Sequence, residues 1–176
     1  MPGRLTIGLY NSYDPVKFHE SHRRALARAG PLALAFDCNL ATFGFPYDKE
    51  LSTPVEIADW VSTTTSIGES GSYLIALANK GRFSVFDFPG KGFPPQLGEA
   101  IITTRKPEKT KVVAASQVRD MLKSGRSAVL LFGLGPRGLP KELFEMSQKH
   151  LDITGRGLSL ETCTALGAVI GSLLGK

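Results

Sequence analysis

Segments with the pattern of β-strands alternate with segments with the pattern of helices along the whole chain, and this alternation constrains the fold more than any other feature. The predicted strands are residues 4–10, 31–37, 82–88, 99–104, 127–132 and 150–154. The predicted helices are residues 14–30, 53–64, 68–81, 114–125, 140–149 and 159–175. Because such alternation is typical of βαβ units, the sequence predicts an α/β fold with a mainly parallel sheet flanked by helices.

The first helix and the strand after it carry the most detailed local pattern. Asp14 is predicted as the N-cap of the helix, with Pro15 at its first position and Gly30 beyond its end, since these residues are usual at helix boundaries. The segment that follows, PLALAFD (31–37), is almost continuously apolar. A strand with this pattern is usually buried on both faces, which favours a parallel sheet.

The length and composition suit one globular domain. The chain has 176 residues, of which 42% are hydrophobic and 21% are charged, so we predict a single domain over residues 1–176. The N-terminus has no long apolar stretch, and we expect no signal peptide and no membrane partner. Cys38 and Cys163 are far apart without metal-ligand spacing, which favours the reducing cytoplasm over a disulfide-bonded secreted protein.

Positive charge is concentrated in the second half of the chain. Residues 1–90 carry 8 Lys/Arg against 9 Asp/Glu, whereas residues 91–176 carry 13 against 7. A basic half is typical of a protein that binds a polyanion such as RNA, because phosphate contacts release counterions. A well-solvated surface is the alternative, and charge alone does not separate the two.

A glycine motif follows the predicted strand 127–132. Gly133, Gly135 and Gly138 have the G-x-G-x-x-G spacing of a dinucleotide-binding loop. In that motif the helix begins near the second glycine, and Pro140 inside its first turns would cost roughly 3 kcal/mol. We therefore disfavour a nicotinamide-dependent enzyme, although the glycines still allow a flat ligand to approach the backbone closely.

The acidic partner of a dinucleotide motif is also poorly placed. Asp152 lies about 20 residues beyond the glycines, as that motif requires, but it falls inside the predicted strand 150–154 and not at its carboxyl end. Binding of NADH would revive the nicotinamide alternative.

Three segments resemble the signatures of the SPOUT, or α/β-knot, methyltransferases, in particular their SpoU-like branch. Residues 131–140, LFGLGPRGLP, are similar to the second signature, F-G-P-E-x-x-G-L-P, and residues 159–174 to the third, a Ser-Leu-Asn that opens a helix of small residues. Residues 11–30 are similar to the first, N-P-x-D-P-x-N-x-G-x-x-x-R-x-A, with Asn11, Asp14, Pro15, Arg23 and Ala25 in register. The order and spacing fit, and the whole sequence also resembles a small uncharacterised archaeal family of this length.

The resemblance implies a deep C-terminal trefoil knot, a homodimer with composite active sites, and S-adenosylmethionine as the cofactor, with no metal. It implies methylation of an RNA, tRNA or rRNA. The implied cofactor contacts come from three loops: Thr103 and Thr104; Phe132, Gly133, Gly135 and Gly138; and Ile153, Ser159 and Leu160.

Arg23 and Glu161 are the implied catalytic residues. Arg23 aligns with the family arginine at the acceptor hydroxyl; because an arginine pKa lies above 12, we expect it to orient a phosphate and stabilise an oxyanion. Glu161 replaces the family asparagine, and it is either a general base or a structural carboxylate that the helix dipole keeps ionised. Ser159 is expected to cap the last helix.

Three polar positions depart from the SpoU-like signatures. Lys17 and Glu161 stand where the family has asparagine, and Gly135 stands where it has glutamate. The ribose 2′-O reaction therefore does not follow, and a base nitrogen or carbon stays open as the acceptor. An RNA-binding knotted protein without catalysis is the alternative to a methyltransferase, and fold alone does not separate them. The predicted phosphate contacts are Arg105, Lys106, Lys109, Lys111, Arg137, Lys141 and Arg156.

Two further spacings have simple structural interpretations. His19 and His22 lie three residues apart on the predicted first helix, but no third metal ligand is evident, so we predict solvated histidines. Gly167 and Gly171 lie on the last predicted helix, and they indicate a close backbone approach at a core or dimer contact.

Overall fold

The computed structural model describes residues 1–63 and 67–175. The strands are β1 (Leu5–Asn11), β2 (Asn39–Phe43), β3 (Phe83–Phe86), β4 (Glu99–Thr104), β5 (Val112–Val113), β6 (Ala128–Leu134) and β7 (Lys149–Asp152). The helices are α1 (Glu20–Ala35), α2 (Pro54–Val61), α3 (Ser70–Asn79), α4 (Ala115–Lys123), α5 (Lys141–Met146) and α6 (Thr162–Leu174). Of the predicted helix 53–64, the last residue, Thr64, lies outside the described residues.

The seven strands form one sheet in the order β3-β2-β1-β6-β4-β7-β5. Every strand pairing in the described part of the chain is parallel. The predicted α/β fold with a parallel sheet flanked by helices is therefore confirmed.

The central strand β6 is buried on both faces of the sheet. Leu130 and Phe132 pack with residues of α1, α2, α3, α4 and α6. Val129 and Leu131 point to the opposite face and pack with Leu143 of α5 and with Leu97, which precedes β4. Burial on both faces explains the nearly continuous apolar run of this strand.

Helix α1 begins later than the sequence predicts, because Asp14 forms a turn and does not cap the helix. Its Oδ1 accepts hydrogen bonds from the backbone N–H groups of Val16 (2.8 Å) and Lys17 (3.1 Å). Its Oδ2 lies 2.7 Å from Nε2 of His19, and His19 is the N-cap of α1. The predicted cap at Asp14 is therefore wrong.

The predicted strand 31–37 is also wrong, since α1 continues through Gly30 and Pro31 to Ala35, and the second strand is β2. Gly30 lies within the helix, where an added Cβ would be 3.3 Å from the backbone nitrogen of Leu74 in α3. The glycine thus allows α1 and α3 to pack closely. A short apolar run does not distinguish a buried strand from a buried helix, and here the helix buries it.

Smaller differences concern the ends of elements. The two-residue strand β5 is absent from the sequence prediction. The sequence predicts Asp152 inside its strand. This is wrong, because β7 ends at Asp152 and the residue therefore lies at the carboxyl end. Its Oδ1 accepts hydrogen bonds from the N–H groups of Thr154 and Gly155, at 3.2 and 3.0 Å. Asp152 therefore closes a turn.

The glycines of α6 do not mark a close approach within the chain. A Cβ added at Gly167 or at Gly171 would meet no atom within 4 Å. The predicted close approach at a core contact is therefore wrong, and a close approach at a dimer contact stays a prediction. None of the helices described is long and apolar enough to cross a membrane.

Candidate functional site

A cavity of about 810 Å³ opens at the carboxyl ends of β1, β4, β6 and β7. The order of the strands reverses between β1 and β6. In open α/β sheets, ligands bind outside the carboxyl ends of strands at such a reversal. The volume lies within the range of small-molecule sites, about 300–1,000 Å³.

The cavity is lined by all nine residues that the resemblance assigns to a cofactor. They are Thr103, Thr104, Phe132, Gly133, Gly135, Gly138, Ile153, Ser159 and Leu160. Glu161 lines it as well, whereas Arg23 is not among the described residues that do. The three predicted loops therefore meet at one place, and cofactor binding there stays a prediction.

The glycine loop after β6 folds tightly against its neighbours. A Cβ on Gly133 would lie 2.7 Å from the carbonyl carbon of Gly138, and one on Gly135 would lie 3.1 Å from the carbonyl oxygen of Ser12. Gly135 also has φ = +131°, which a glutamate would rarely adopt. The backbone geometry thus explains why this chain has glycine where the SpoU-like signature has glutamate.

The same loop lacks the geometry of a dinucleotide site. Gly133 belongs to β6, and α5 begins at Lys141, with Pro140 as its N-cap. In the dinucleotide motif the helix begins near the second glycine and its N-terminus receives the pyrophosphate. The six-residue helix α5 begins well beyond all three glycines, which disfavours the nicotinamide alternative.

Hydroxyl groups join the cavity walls to strand β6. Thr103 donates to the carbonyl oxygen of Leu131 (2.6 Å), Thr162 to that of Gly133 (2.7 Å), and Ser12 to that of Leu134 (2.9 Å). Since these donors come from three different segments, the loops are held in fixed positions around the cavity.

The lining combines an apolar part with a positively charged part. The apolar residues include Phe132, Leu134, Leu139, Phe144, Ile153 and Leu160. The cationic residues are Arg24, Arg105, Lys106 and Arg137, against one described carboxylate, Glu161. An apolar slot beside glycine-rich backbone suits a flat heterocycle, and the excess of cations suits an anionic ligand.

Glu161 caps helix α6, so the predicted capping role of Ser159 is wrong. The Oε2 atom of Glu161 accepts hydrogen bonds from the N–H groups of Cys163 (3.0 Å) and Thr164 (3.2 Å). Partial burial raises the pKa of Glu161, but these hydrogen bonds outweigh burial, and the pKa is lowered overall. A carboxylate with a lowered pKa is a weaker proton acceptor, which favours the structural role.

Arg23 belongs to α1, and its side chain binds the end of helix α2. Its guanidinium donates hydrogen bonds to the backbone carbonyls of Trp60 and Val61. It also lies 5.2 Å from the ring centroid of Trp60 and 5.4 Å from that of Phe18. Arg24 instead is exposed and lines the cavity. Consecutive helical residues point about 100° apart, so the two arginines serve different surfaces. A catalytic role for Arg23 stays a prediction.

His22 is fully buried, so the prediction of a solvated side chain is wrong for this residue. Its Nδ1 accepts a hydrogen bond from the N–H of His19 (2.9 Å), and its Nε2 therefore carries the proton that it shares with Oδ1 of Asn11 (3.0 Å). Burial, and secondarily the charge of His19, lowers the pKa of His22 to about 4. The amide of Asn11 donates to the carbonyls of Asp14 and Gly44, so two residues of the first signature stabilise the segment after β1.

Several lining residues were not predicted from the sequence. They are chiefly Tyr13, Ser21, Arg24, Phe144, Thr162 and Cys163. Arg24 and Thr162 each adjoin a predicted residue, but no sequence signal separates them from other polar residues. Burial raises the pKa of the Cys163 thiol to about 11, so it stays protonated at neutral pH. Among residues 1–63 and 67–175, no group of three or more His, Cys, Asp or Glu is placed to hold a metal ion.

A family model described as "Protein of unknown function (DUF531)" matches residues 5–174. The chain belongs to this family. The "Uncharacterized protein MJ0224" of Methanocaldococcus jannaschii is 44% identical over 166 residues, which cover 94% of this chain and 90% of that protein.

Solved structures show which fold this family has. TrmJ from Z. mobilis ZM4 matches with a TM-score of 0.62 and 14% identity, over 99% of this chain and 69% of that one. The SpoU methyltransferase AviRb from Streptomyces viridochromogenes, in complex with AdoMet, matches with a TM-score of 0.57 and 14% identity, over 99% of this chain and 58% of that one. A structure that gives insights into "the 2-OH methylation of C/U34 on tRNA" matches with a TM-score of 0.55 and 17% identity, over 98% of this chain and 95% of that one. The chain therefore has the fold of the SPOUT methyltransferases, and the knot stays a prediction.

Proposed function

We propose that this protein is an S-adenosylmethionine-dependent methyltransferase that acts on tRNA or rRNA, as a cytoplasmic homodimer with a C-terminal trefoil knot. One observation carries the proposal: the nine residues, which come from three separate loops, all line one cavity at the sheet reversal. The likeness to an AdoMet complex and to a structure concerned with tRNA methylation supports it.

The cavity fits the methyl donor. A Cβ on Gly133 would lie 2.7 Å from the carbonyl carbon of Gly138, so a glycine at this position lets the glycine loop fold against β6 and form the cavity wall. The apolar side chains of Phe132, Ile153 and Leu160 would hold the adenine, and loop backbone groups would orient it. When bound, the cofactor supplies a methyl group on a sulfonium. The chain orients donor and acceptor, and it needs no metal for that task.

We assign the polar residues by their contacts. Glu161 keeps α6 and its preceding loop in place as the helix cap. Arg24, and not its neighbour Arg23, supplies a cation on the cavity wall. Arg105, Lys106 and Arg137 also line the cavity and contact RNA phosphates. Lys111 is unsuited to that task because its Nζ donates to the carbonyl of Phe144 (2.9 Å).

A knotted RNA-binding protein without catalysis is the second candidate. It is favoured by the two signature departures Gly135 and Glu161, which both serve local backbone structure here. Gly135 then offers no proton acceptor and Glu161 only a weakened one, and the acceptor atom of the RNA stays open between ribose 2′-O and a base.

Calorimetric titration with S-adenosylmethionine, S-adenosylhomocysteine and NADH, each separately, tests the proposal. We expect saturable binding of both adenosyl ligands and none of NADH. Binding of neither adenosyl ligand would overturn the transferase and leave the RNA-binding protein.

Transfer of a radiolabelled methyl group to total tRNA and rRNA separates the two candidates. We expect incorporation with the unaltered protein, and incorporation that persists with Glu161→Gln, because the amide retains an oxygen that accepts the cap hydrogen bonds. Loss of turnover with cofactor affinity unchanged would instead make Glu161 the general base.

A further inference from the structure

We propose that Tyr13 is a stacking platform for the base of an unpaired RNA nucleotide at the mouth of the cavity. The inference rests on the proposed function and specifies its substrate: a nucleotide in a loop or single strand, and not one within a duplex. It follows from the position of the ring, its exposure and the charges around it.

Tyr13 lies two residues beyond Asn11, where β1 ends, and it lines the cavity. Its backbone N–H donates to Oδ1 of Asn11 (3.1 Å), the same atom that receives the hydrogen bond from His22. The buried Asn11–His22 pair therefore holds the Tyr13 backbone in place beneath an exposed ring.

The ring is in tilted contact with two histidine rings and is about half exposed to solvent. Its centroid is 5.3 Å from that of His19 and 5.8 Å from that of His22, at interplanar angles of 71° and 57°. In the described part of the chain, no aromatic ring stacks face to face on Tyr13, although its exposed fraction is 48%. An ordered, half-exposed aromatic ring loses little entropy when a base stacks on it.

The charges near this ring suit a nucleic acid strand. Arg24, Arg105, Lys106 and Arg137 line the same cavity as Tyr13. Aromatic side chains beside cations are the usual means of binding single-stranded RNA, because the cations follow the phosphates while bases stack on the rings. Bases within a duplex are already stacked and do not reach such a ring.

The test compares RNA affinities of the full chain by fluorescence anisotropy. The probes are a short labelled single-stranded RNA without self-complementarity and the duplex that it forms with its complement. We compare Tyr13→Ala, Tyr13→Leu and Tyr13→Phe with the unaltered protein. The matched control is Tyr73→Ala, since Tyr73 is 44% exposed on α3 and is not among the described residues of the cavity.

We expect Tyr13→Ala and Tyr13→Leu to weaken single-strand binding by about fivefold or more, the effect of removing one stacked aromatic ring. Tyr13→Phe and Tyr73→Ala should stay within about twofold of the unaltered protein, as should duplex binding by every variant, because non-specific duplex affinity comes from phosphates. Tyr13→Leu keeps an apolar side chain at this position. If this variant loses binding while its thermal unfolding midpoint is unchanged, unfolding is excluded as the cause of the loss.

Three results would overturn the platform: equal affinities of Tyr13→Leu and Tyr73→Ala, an equal loss with Tyr13→Phe, or an equal loss on the duplex. The proposed function fails separately. If the Tyr13 effect is present but no adenosyl ligand binds, the transferase falls and the platform stands. If adenosyl ligands bind but Tyr13→Leu has no effect, only the platform falls.

Discussion

Two regions supply most of the cavity lining, and they differ in how far the sequence predicts them. The cavity loops, residues 103–106, 132–139 and 153–161, begin within the last residues of β4 and β6 and directly after β7, and every predicted cofactor residue within them lines the cavity. The post-β1 segment, residues 12–25, contains the predicted catalytic Arg23, which binds helix α2. The position of a residue at the end of a strand is fixed by the sheet, whereas the direction of a side chain on a helix depends on where that helix begins.

The post-β1 segment shows this dependence in detail. Asp14 forms a turn, and α1 begins only at Glu20. That start directs His22 into the core, Arg23 towards α2 and Arg24 towards the cavity. The segment therefore combines a structural part with an exposed part, and variants in the two regions should separate ligand binding from stability.

The largest effect is expected from Gly133→Ala in the cavity loops. The new Cβ would lie 2.7 Å from the carbonyl carbon of Gly138, so the glycine loop must move. A displacement of about 1 Å costs on the order of 100-fold in the rate of a reaction at a preorganised site, so we expect a loss of that size in the rate of methyl transfer, together with a lower S-adenosylmethionine affinity by calorimetry. The control is Gly92→Ala, where a Cβ meets no atom within 4 Å and affinity should not change. Unchanged affinity of Gly133→Ala would contradict a ligand site on this loop.

The next effect concerns the buried part of the post-β1 segment. Burial holds the pKa of His22 at about 4, below its ordinary value of 6.5, so the unfolded chain binds a proton between these pH values while the folded protein does not. Lowering the pH from 6.5 to 4 therefore favours unfolding, by on the order of 3 kcal/mol. Urea unfolding across this range should show the slope in the unaltered protein and a flatter profile in His22→Gln. Equal profiles would mean that His22 is not the titrating group.

The smallest effects separate the two neighbouring arginines. Arg23→Ala leaves the carbonyls of Trp60 and Val61 without their charged donor, and we expect a loss of about 2 kcal/mol in unfolding free energy with ligand affinity unchanged. Arg24→Ala removes an exposed cavity cation, so stability should change by less than about 0.5 kcal/mol. When the logarithm of the affinity for single-stranded RNA is plotted against the logarithm of the salt concentration, the slope for this variant should be shallower by about 0.7. The reverse pattern would place Arg23, and not Arg24, at the cavity.

Much of the candidate site could be predicted because the resemblance to the SPOUT methyltransferases assigns it to residues at strand ends. Thr103 and Thr104 end β4, and Phe132 and Gly133 lie near the end of β6, so the parallel sheet brings them to one edge. The cap at Glu161 could not be separated from one at Ser159, since both residues are able to cap a helix. Tyr13 and Phe144 reach the cavity only through the chain path after β1 and the position of α5.

The sequence by itself determined the parallel α/β class, the helix-and-strand alternation and the glycines at the end of β6. These follow from local apolar patterns and from backbone conformations that few residue types adopt. Only the tertiary structure decided that residues 31–35 are helix, that His22 is buried and that Arg24 faces the cavity. The physical reason is that an apolar run is satisfied by any buried element, and the direction of a helical side chain is set by the packing that decides where the helix begins.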